Sequence, residues 1–225
     1  MAETIKFFSI GFEGGAGTRG ASLGPHALII ADLDAGSKLF KRFPFINIDS
    51  GFDYLYEKNT TRYASRIKHI IEISNKIIEV VERNYDPAAD FPVFLGGDHS
   101  ISIGTITAII RKTGCKNPGI IWIDAHADLH SPYTTPSGNV HGMVLAALAG
   151  TDHFSLKINE VSQEVANLWN ELKNIGGFSP KINLSNVVYI GLRSTEQEEN
   201  IVIQNNNIKI FTVQEMETLG ADRIA

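Results

Sequence analysis

Asp124, His126 and Asp128 place two carboxylates and an imidazole at alternate positions, at the end of the predicted strand Gly119 to Asp124. If strand geometry continues through this segment, its period of two directs all three side chains to one side. They follow the carboxyl end of the strand, which is where open α/β sheets bind ligands. His99 follows the preceding strand at the same end, and a right-handed crossover would bring it alongside or nearby.

A cation among these side chains would offset the repulsion between the carboxylates, which have no neighbouring lysine or arginine to pair with. Carboxylate and imidazole ligands without a thiolate favour Mn²⁺, ahead of Fe²⁺, Co²⁺ and Zn²⁺. Asp124, central in the motif, could bridge two ions, and paired ions activate water as a nucleophile. The residues therefore predict metal-assisted hydrolysis, and a hydrogen-bonded polar cluster without metal is the alternative.

A polar loop follows the motif and ends at His141, where an apolar helix is predicted to begin. The side chains of Thr135, Ser137 and Asn139 could hold a carboxylate or another polar group of a substrate. Alternatively, they form a turn in which these residues bind only the backbone. His141 is placed to shuttle a proton, and its alternative role is that of an ordinary polar residue at a helix terminus.

Short apolar runs alternate with amphipathic stretches along the chain, which is typical of an α/β fold with a mostly parallel sheet. The clearest helix runs from Arg62 to Arg83, where apolar residues recur at helical spacing. Strands are predicted at five other places besides the one above: Ile5 to Ile10, Phe45 to Ile48, Pro92 to Leu95, Val187 to Gly191 and Ile208 to Thr212. Further helices are predicted at Pro25 to Ala31, Ser102 to Lys112, His141 to Leu148, Glu160 to Lys173, Glu196 to Asn205 and Val213 to Leu219.

Composition excludes several classes of function for this chain of 225 residues. Lysine plus arginine number 20 and aspartate plus glutamate 25, so the net charge of −5 argues against binding to nucleic acid or an anionic membrane. One cysteine, Cys115, fits a reducing compartment. The N-terminus does not resemble a signal peptide, and no apolar run approaches the roughly 20 residues needed to span a bilayer. We therefore expect a cytoplasmic protein.

Three motifs together resemble the ureohydrolase family, which includes arginases and agmatinases: Gly96-Gly-Asp-His-Ser100, Asp124-Ala-His-Ala-Asp128 and Ser137-Gly-Asn-Val-His-Gly142. The resemblance implies a three-layer αβα fold and two Mn²⁺ ions that share a hydroxide, which attacks a guanidinium carbon and releases urea. It implies that His99 and Asp128 bind the first ion, His126 the second and Asp124 both. It also implies that His141 is the proton shuttle, that Asp128 and His141 are the catalytic residues, and that the protein is a homo-oligomer, a trimer or a hexamer.

Within the family, the loop resembles that of arginases, which use it to recognise a carboxylate that agmatine lacks. The resemblance makes His130, Thr135, Ser137 and Asn139 candidate contacts of the substrate carboxylate. It places Glu196 and Glu199 near the substrate's α-amino group, although a solvated helix start would explain both glutamates equally well. Two positions depart from the pattern, since position 130 usually carries Asn and position 196 usually carries Asp.

The family's third metal motif, Asp-x-Asp-x-x-Asp-Pro, has no counterpart in this sequence. The resemblance therefore implies one arginase-like domain over residues 1–225 that is incomplete at its C-terminus, with a gap in the middle of the sheet. The leading hypothesis is Mn²⁺-dependent hydrolysis of L-arginine to L-ornithine and urea. The alternatives are a ureohydrolase for agmatine, guanidinobutyrate or formimidoylglutamate, and a non-catalytic arginase-like subunit.

Overall fold

The computed structural model describes residues 4–224, which form a mixed α/β fold with parallel strands. Six strands make two sheets of three, ordered β2-β1-β3 and β4-β5-β6, and every pairing is parallel. The strands are β1 (Thr4–Ile10), β2 (Phe45–Asn47), β3 (Asp90–Gly96), β4 (Ile120–Ile123), β5 (Val187–Leu192) and β6 (Lys209–Thr212). The six predicted strands are thus confirmed, with ends shifted by one or two residues.

Every connection between successive strands contains at least one helix, and two more helices follow the last strand in the described residues. The helices are α1 (Gly24–Ala35), α2 (Leu39–Arg42), α3 (Ile67–Asn84), α4 (Ser102–Thr113), α5 (Val144–Ala149), α6 (Gln163–Lys173), α7 (Gln197–Asn205), α8 (Val213–Leu219) and α9 (Ala221–Ile224). Helix α1 is longer than predicted, and α5 is shorter because residues 140–143 form a 3-10 turn before it. None of the helices in residues 4–224 is both long and apolar enough to cross a membrane.

Helix α3 buries one apolar face against the centre of the molecule, as its helical spacing predicts. The face consists of Ile67, Ile70, Ile71, Ile73, Ser74, Ile77, Ile78 and Val81. The predicted start at Arg62 is wrong. Arg66 has a left-handed backbone with a φ of 55°, so the helix begins only at Ile67.

Close packing of helices fixes the segments that carry the polar motifs. Helix α3 packs against α4, and α5 is buried over most of its length beside α4 and α6. The N–H of Leu145 in α5 donates to the carbonyl of Asp128 at 3.0 Å, so this helix holds the end of the Asp124 to Asp128 segment.

The two sheets do not pair with each other within residues 4–224, since β3 and β4 form no ladder. Strand β4 ends at Ile123, and the chain then bends, with Asp128 in a left-handed conformation at a φ of 53°. The expected continuation of strand geometry through Asp124, His126 and Asp128 is therefore wrong, and the side chains meet by a different path.

Candidate metal centre and substrate loop

Three predicted ligands converge where β3 and β4 end. His99, in the 3-10 turn after β3, lies with Nδ1 3.4 Å from Oδ2 of Asp124 and with Nε2 3.5 Å from Oδ2 of Asp128. One ligand atom from each of the three residues lies within 4.8 Å of the other two. The sequence therefore predicted correctly that the crossover brings His99 to the carboxylates.

Asp128 is the most buried of these ligands, with a relative exposure of 2%. Its Oδ2 accepts a hydrogen bond of 2.8 Å from the indole Nε1 of Trp122 in β4. The ion-pair partners of Asp124 and Asp128 among the described residues are histidines alone. Carboxylate and imidazole groups that converge without lysine or arginine are donors that divalent metal ions accept, so the donor set fits a divalent metal ion.

The pKa of His99 reports the negative field at this centre. Burial would lower it, but the hydrogen bond to Asp128 and the charges of Asp128 and Asp124 outweigh burial and raise the pKa to about 9. The ring's Nε2 also lies 2.9 Å from the carbonyl oxygen of His141. The site thus favours a positive charge at the place where a metal ion would bind.

His126 stands apart from the three converging ligands. Its side chain is 62% exposed, and its Nδ1 lies 3.5 Å from Oδ1 of Asp124. Its backbone N–H donates to the same oxygen at 2.9 Å. His126 therefore borders the centre on the solvent side of Asp124, and its role as a ligand stays a prediction.

His141 lies beside the centre in the 3-10 turn that precedes α5. Its ring centroid is 5.4 Å from that of His99, and its N–H donates to the carbonyl of Gly15 at 3.2 Å. Burial and then the charge of His99 lower the pKa of His141, against the opposing charges of Asp98 and Asp128. A half-buried imidazole that is neutral near pH 7 can accept a proton at this position.

The substrate loop, residues 130–139, presents its three polar candidates differently. Thr135 is 2% exposed, and its Oγ1 accepts a hydrogen bond of 3.0 Å from the N–H of Gly138. Ser137 is exposed and its Oγ accepts from the N–H of Asn139, which is half-buried. Ser137 and Asn139 are therefore accessible to a ligand, whereas Thr135 closes the turn from inside.

His130 contacts both of the predicted glutamates. Its Nε2 lies 3.3 Å from Oε2 of Glu196 and 3.8 Å from Oε2 of Glu199, and its Nδ1 lies 3.1 Å from Oγ1 of Thr134. Both ring nitrogens are thus engaged within the protein. The three residues form a second group whose ligand atoms lie within 4.8 Å of one another.

Glu196 and Glu199 open helix α7 as a reciprocal capping box. Glu196 is half exposed, with a side-chain exposure of 51%, while that of Glu199 is 3%. Burial and the carboxyl group of Glu196 raise the pKa of Glu199, although backbone N–H groups of Leu129 and Glu196 donate to it. The hydrogen bond with Glu199, together with His130, lowers the pKa of Glu196. The alternative of two solvated glutamates at a helix start therefore fits Glu196 in part, because that side chain is half exposed. It does not fit Glu199, which is buried.

Comparison with known proteins agrees with this geometry. The model of the arginase family matches residues 3–225. The chain belongs to the arginase family. This membership indicates a hydrolase that acts on a carbon–nitrogen bond. An arginase of Brevibacillus brevis is 34% identical over 227 residues, which cover all of this chain and 69% of that protein.

Solved structures show the same fold. The arginase of Bacillus caldovelox superposes with a TM-score of 0.76 at 31% identity, over 100% of this chain and 69% of that one. A formimidoylglutamase of Bacillus subtilis superposes with a TM-score of 0.63 over 99% of this chain and 59% of that one. At 18% identity, the second likeness concerns the fold alone. The first confirms the arginase-like architecture with parallel strands that the sequence predicts.

Two residues that contribute to this arginase-family site were not predicted from the sequence. Trp122 binds Asp128, and nothing in the spacing of an apolar strand indicates that its indole turns toward a carboxylate six residues later. Asp98 lies in the Gly96 to Ser100 motif, where an aspartate two residues before a serine could have indicated a turn. Its carboxylate accepts from the N–H groups of Gly15, Ala16 and Ser100, so it joins the glycine-rich loop to the turn that carries His99.

Proposed function

We propose that this arginase-family chain carries the site for hydrolysis of the guanidinium group of L-arginine to L-ornithine and urea. The convergence of His99, Asp124 and Asp128 beside His141 is the observation that carries this proposal. It combines a place for divalent cations with a group able to exchange a proton. Family membership supplies the class of reaction that this arrangement serves.

Mn²⁺ is the metal that we propose, held by His99, Asp124, His126 and Asp128. The mixed oxygen and imidazole donors without thiolate support this choice over softer-ligand metals. When bound, such ions supply Lewis acidity toward the reacting water. The chain's own contribution is to hold Asp128 in place through Trp122 and to keep the carboxylates free of lysine and arginine partners in the described region.

His141 and Asp128 are the catalytic residues in this proposal. His141 lies next to the proposed metal ligands, and its lowered pKa leaves the imidazole free to accept a proton near neutral pH. It can then pass the proton to the amine product or to solvent, since the ring is only half-buried. Asp128 orients its carboxylate toward His99 and has no freedom to turn toward solvent.

The substrate's amino-acid end is proposed to bind between the substrate loop and the start of α7. Ser137 and Asn139 offer accessible hydroxyl and amide groups to the carboxylate, with Thr135 supporting the turn from within. Glu196 offers negative charge to the α-ammonium group, and the buried Glu199, whose raised pKa favours its neutral form, supports Glu196 through the capping box and His130. Because both ring nitrogens of His130 have partners, we assign His130 to holding this group rather than to binding the carboxylate directly.

A hydrolase of agmatine, guanidinobutyrate or formimidoylglutamate is the second candidate within the same chemistry, and a non-catalytic subunit is the third. The accessible polar groups of the loop favour a substrate that has a carboxylate over agmatine, which lacks one. We further propose that residues 1–225 belong to one domain and that the protein acts in the cytoplasm as a homo-oligomer, a trimer or hexamer. Because the chain has a net charge of −5, we propose that it acts on small-molecule substrates and has no nucleic-acid or membrane partner.

Urea release measured with added Mn²⁺ tests the proposal, with L-arginine and agmatine offered separately at neutral and alkaline pH. We expect release from L-arginine, loss of release in Asp128→Asn, and no change in Asp34→Asn, an acid-to-amide exchange at an exposed residue of α1. Release from agmatine in preference to L-arginine would replace the proposed substrate. Absence of release from both would overturn the proposed substrate and favour guanidinobutyrate, formimidoylglutamate or the non-catalytic alternative.

A further inference from the structure

Asn159 lies outside every motif described above, yet its side chain contacts the substrate loop from behind. The residue is 8% exposed and precedes helix α6 by four positions. Its Nδ2 donates to the carbonyl of Pro132 at 3.0 Å and to the carbonyl of Thr135 at 2.7 Å. Its backbone N–H donates to the carbonyl of Tyr133 at 3.0 Å. A single residue therefore binds three carbonyl groups of the loop.

The orientation of the Asn159 amide is determined by its partners. Both of them are carbonyl oxygens, which only accept hydrogen bonds, so the NH₂ group must face them. A rotated amide would bring its own oxygen against two others in a buried place, which is unfavourable. The side chain thus has one stable arrangement, and it ties two points of the loop that are three residues apart.

The effect of Asn159 extends to the accessible end of the loop through Thr135. Asn159 fixes the carbonyl of Thr135, and the hydroxyl of the same threonine accepts the N–H of Gly138. The carbonyl of Gly138 in turn accepts the N–H of Ser65 at 2.8 Å. Ser137 and Asn139, which flank Gly138, are the groups that we propose to contact the substrate carboxylate.

Neighbouring residues also bind this part of the loop, and Asn159 adds to their contacts. The hydroxyl of Ser131 donates to the carbonyl of Asp152 at 2.6 Å. The N–H of Ile158 donates to the carbonyl of Tyr133 at 2.9 Å. The ring of Tyr133 packs on Phe154 at 4.5 Å between centroids. Among these supporting residues, Asn159 is the one whose side chain binds Thr135. Thr135 precedes Ser137 and Asn139, the part of the loop that is nearest the proposed ligand.

We propose that Asn159 is a positioning residue that fixes the substrate loop and thereby sets the preference of the site for ligands with an α-carboxylate. The role rests on the proposed function, because the loop selects a carboxylate only if that group binds there. Asn159 does not touch the ligand. Its effect passes through the backbone of Thr135 and the turn that follows.

Two variants and one control test the role of Asn159. Asn159→Ala removes both hydrogen bonds, and Asn159→Asp keeps the shape of the side chain but cannot donate from its ionised form. Asn167→Ala is the control, since Asn167 is exposed on α6 and its side-chain oxygen accepts a hydrogen bond from Gln163 of the same helix. The melting temperature of each protein shows whether it folds. If Asn159→Ala does not fold, Asn159→Asp is used for the measurements below.

The first measurement is hydrogen exchange of the metal-loaded protein without ligand, followed by mass spectrometry. We expect faster exchange in the peptide that covers residues 131–139 of both Asn159 variants. Exchange in α3 and in the control variant should match the wild type. Unchanged exchange in residues 131–139 would overturn the positioning role, whatever the substrate of the protein is.

The second measurement compares the affinities of L-ornithine and putrescine, which differ by the carboxylate, using calorimetry with Mn²⁺ present. Because misplaced binding groups lower efficiency by up to about a hundredfold, we expect the variants to bind L-ornithine roughly tenfold to a hundredfold more weakly. Their affinity for putrescine should change less than about twofold, an effect too small to indicate a lost contact. Equal losses for both ligands would overturn the proposed preference.

A wild-type protein that binds neither ligand would count against the proposed function and the carboxylate preference together. In that case hydrogen exchange still decides whether Asn159 fixes the loop. Wild-type binding of L-ornithine combined with unaltered affinity in both variants would overturn the role of Asn159 alone. The two failures are therefore distinguishable.

Discussion

The indole Nε1 of Trp122 donates a hydrogen bond of 2.8 Å to Oδ2 of Asp128, the oxygen that also lies 3.5 Å from Nε2 of His99. A strand residue thereby orients a carboxylate six positions later, across the bend where the strand ends. Since a hydrogen bond to a ligating carboxylate fixes its direction, Trp122 acts on the proposed metal centre without entering it.

Trp122→Phe removes this donor and keeps an aromatic ring in β4. We expect Mn²⁺ affinity to fall by roughly tenfold to a hundredfold, the usual effect of losing an outer partner of a metal ligand. Isothermal titration with Mn²⁺ measures it. Trp169→Phe is the matched control, because Trp169 donates at 2.7 Å to Asp152, away from the centre. Equal affinities in the Trp122 variant and the wild type would show that the bond does not orient Asp128 for metal.

Metal binding should also stabilise the fold, since His99, Asp124 and Asp128 come together only in the folded chain. At a concentration about 100 times the dissociation constant, Mn²⁺ adds about 2.7 kcal/mol to the free energy of unfolding. For a chain of this size, that corresponds to a rise in Tm of roughly 5–10 °C. Differential scanning fluorimetry with Mn²⁺ and then with a chelator measures the rise and its reversal.

Asp128→Asn should lose most of this rise in Tm, and Asp34→Asn should keep it. The comparison isolates the proposed centre, because both variants exchange one carboxylate for an amide and therefore change the net charge equally. A rise of the same size in both variants would place the stabilising metal elsewhere in the protein.

Lys181 provides a pH-dependent contribution to stability that is independent of the site. Its side chain is buried, with an exposure of 4%, and its Nζ donates to the carbonyls of Lys173 and Phe178. Burial lowers the pKa of Lys181 to about 8 from an ordinary value of 10.5. Between these two values the folded protein binds fewer protons than the unfolded chain, so the free energy of unfolding rises with pH.

Lys181→Met removes this titration. Urea denaturation at pH 7.5, 8.5 and 9.5 should show the wild type gaining stability relative to the variant, by at most about 1.4 kcal/mol per pH unit. Lys116→Met, at an exposed position, should follow the wild type at every pH. A difference between wild type and Lys181→Met that does not change with pH would contradict the lowered pKa.

The sequence predicts best the features that depend on local patterns. Helix α3 follows from its apolar spacing, and His99 lies near Asp124 because each residue follows the carboxyl end of its strand, β3 or β4. The start of α3 was missed because the left-handed conformation of Arg66 depends on contacts that spacing does not describe, including a hydrogen bond to Tyr54.

The sequence predicts poorly the contacts that depend on the path of the chain after each strand. His126 has the spacing of a ligand but is exposed, because β4 ends at Ile123 and the period of two is lost. Asn159 is 24 residues from Thr135, and no spacing rule links a loop carbonyl to a distant amide. Such contacts follow only once the tertiary structure brings the segments together.

Gly104 allows helices α3 and α4 to approach closely. A Cβ at this position would lie 2.8 Å from Cα and 3.1 Å from the carbonyl oxygen of Ser74, and both of these atoms belong to the backbone of α3. Gly104→Ala raises helix propensity by about 1 kcal/mol, but overpacking in a close-packed interior costs about 1–3 kcal/mol. We expect the packing cost to prevail, because a backbone atom cannot rotate away as a flexible side chain would.

Urea denaturation of Gly104→Ala should therefore show a lower midpoint with an unchanged m-value, corresponding to a loss of up to about 2 kcal/mol, the packing cost less the gain in helix propensity. Gly119→Ala is the control, since the nearest atom to its added Cβ would be 3.8 Å away. This exposed substitution should change the free energy of unfolding by less than about 0.5 kcal/mol. Stabilisation of the protein by Gly104→Ala would mean that α3 and α4 separate at little cost and that the contact with Ser74 does not limit their packing.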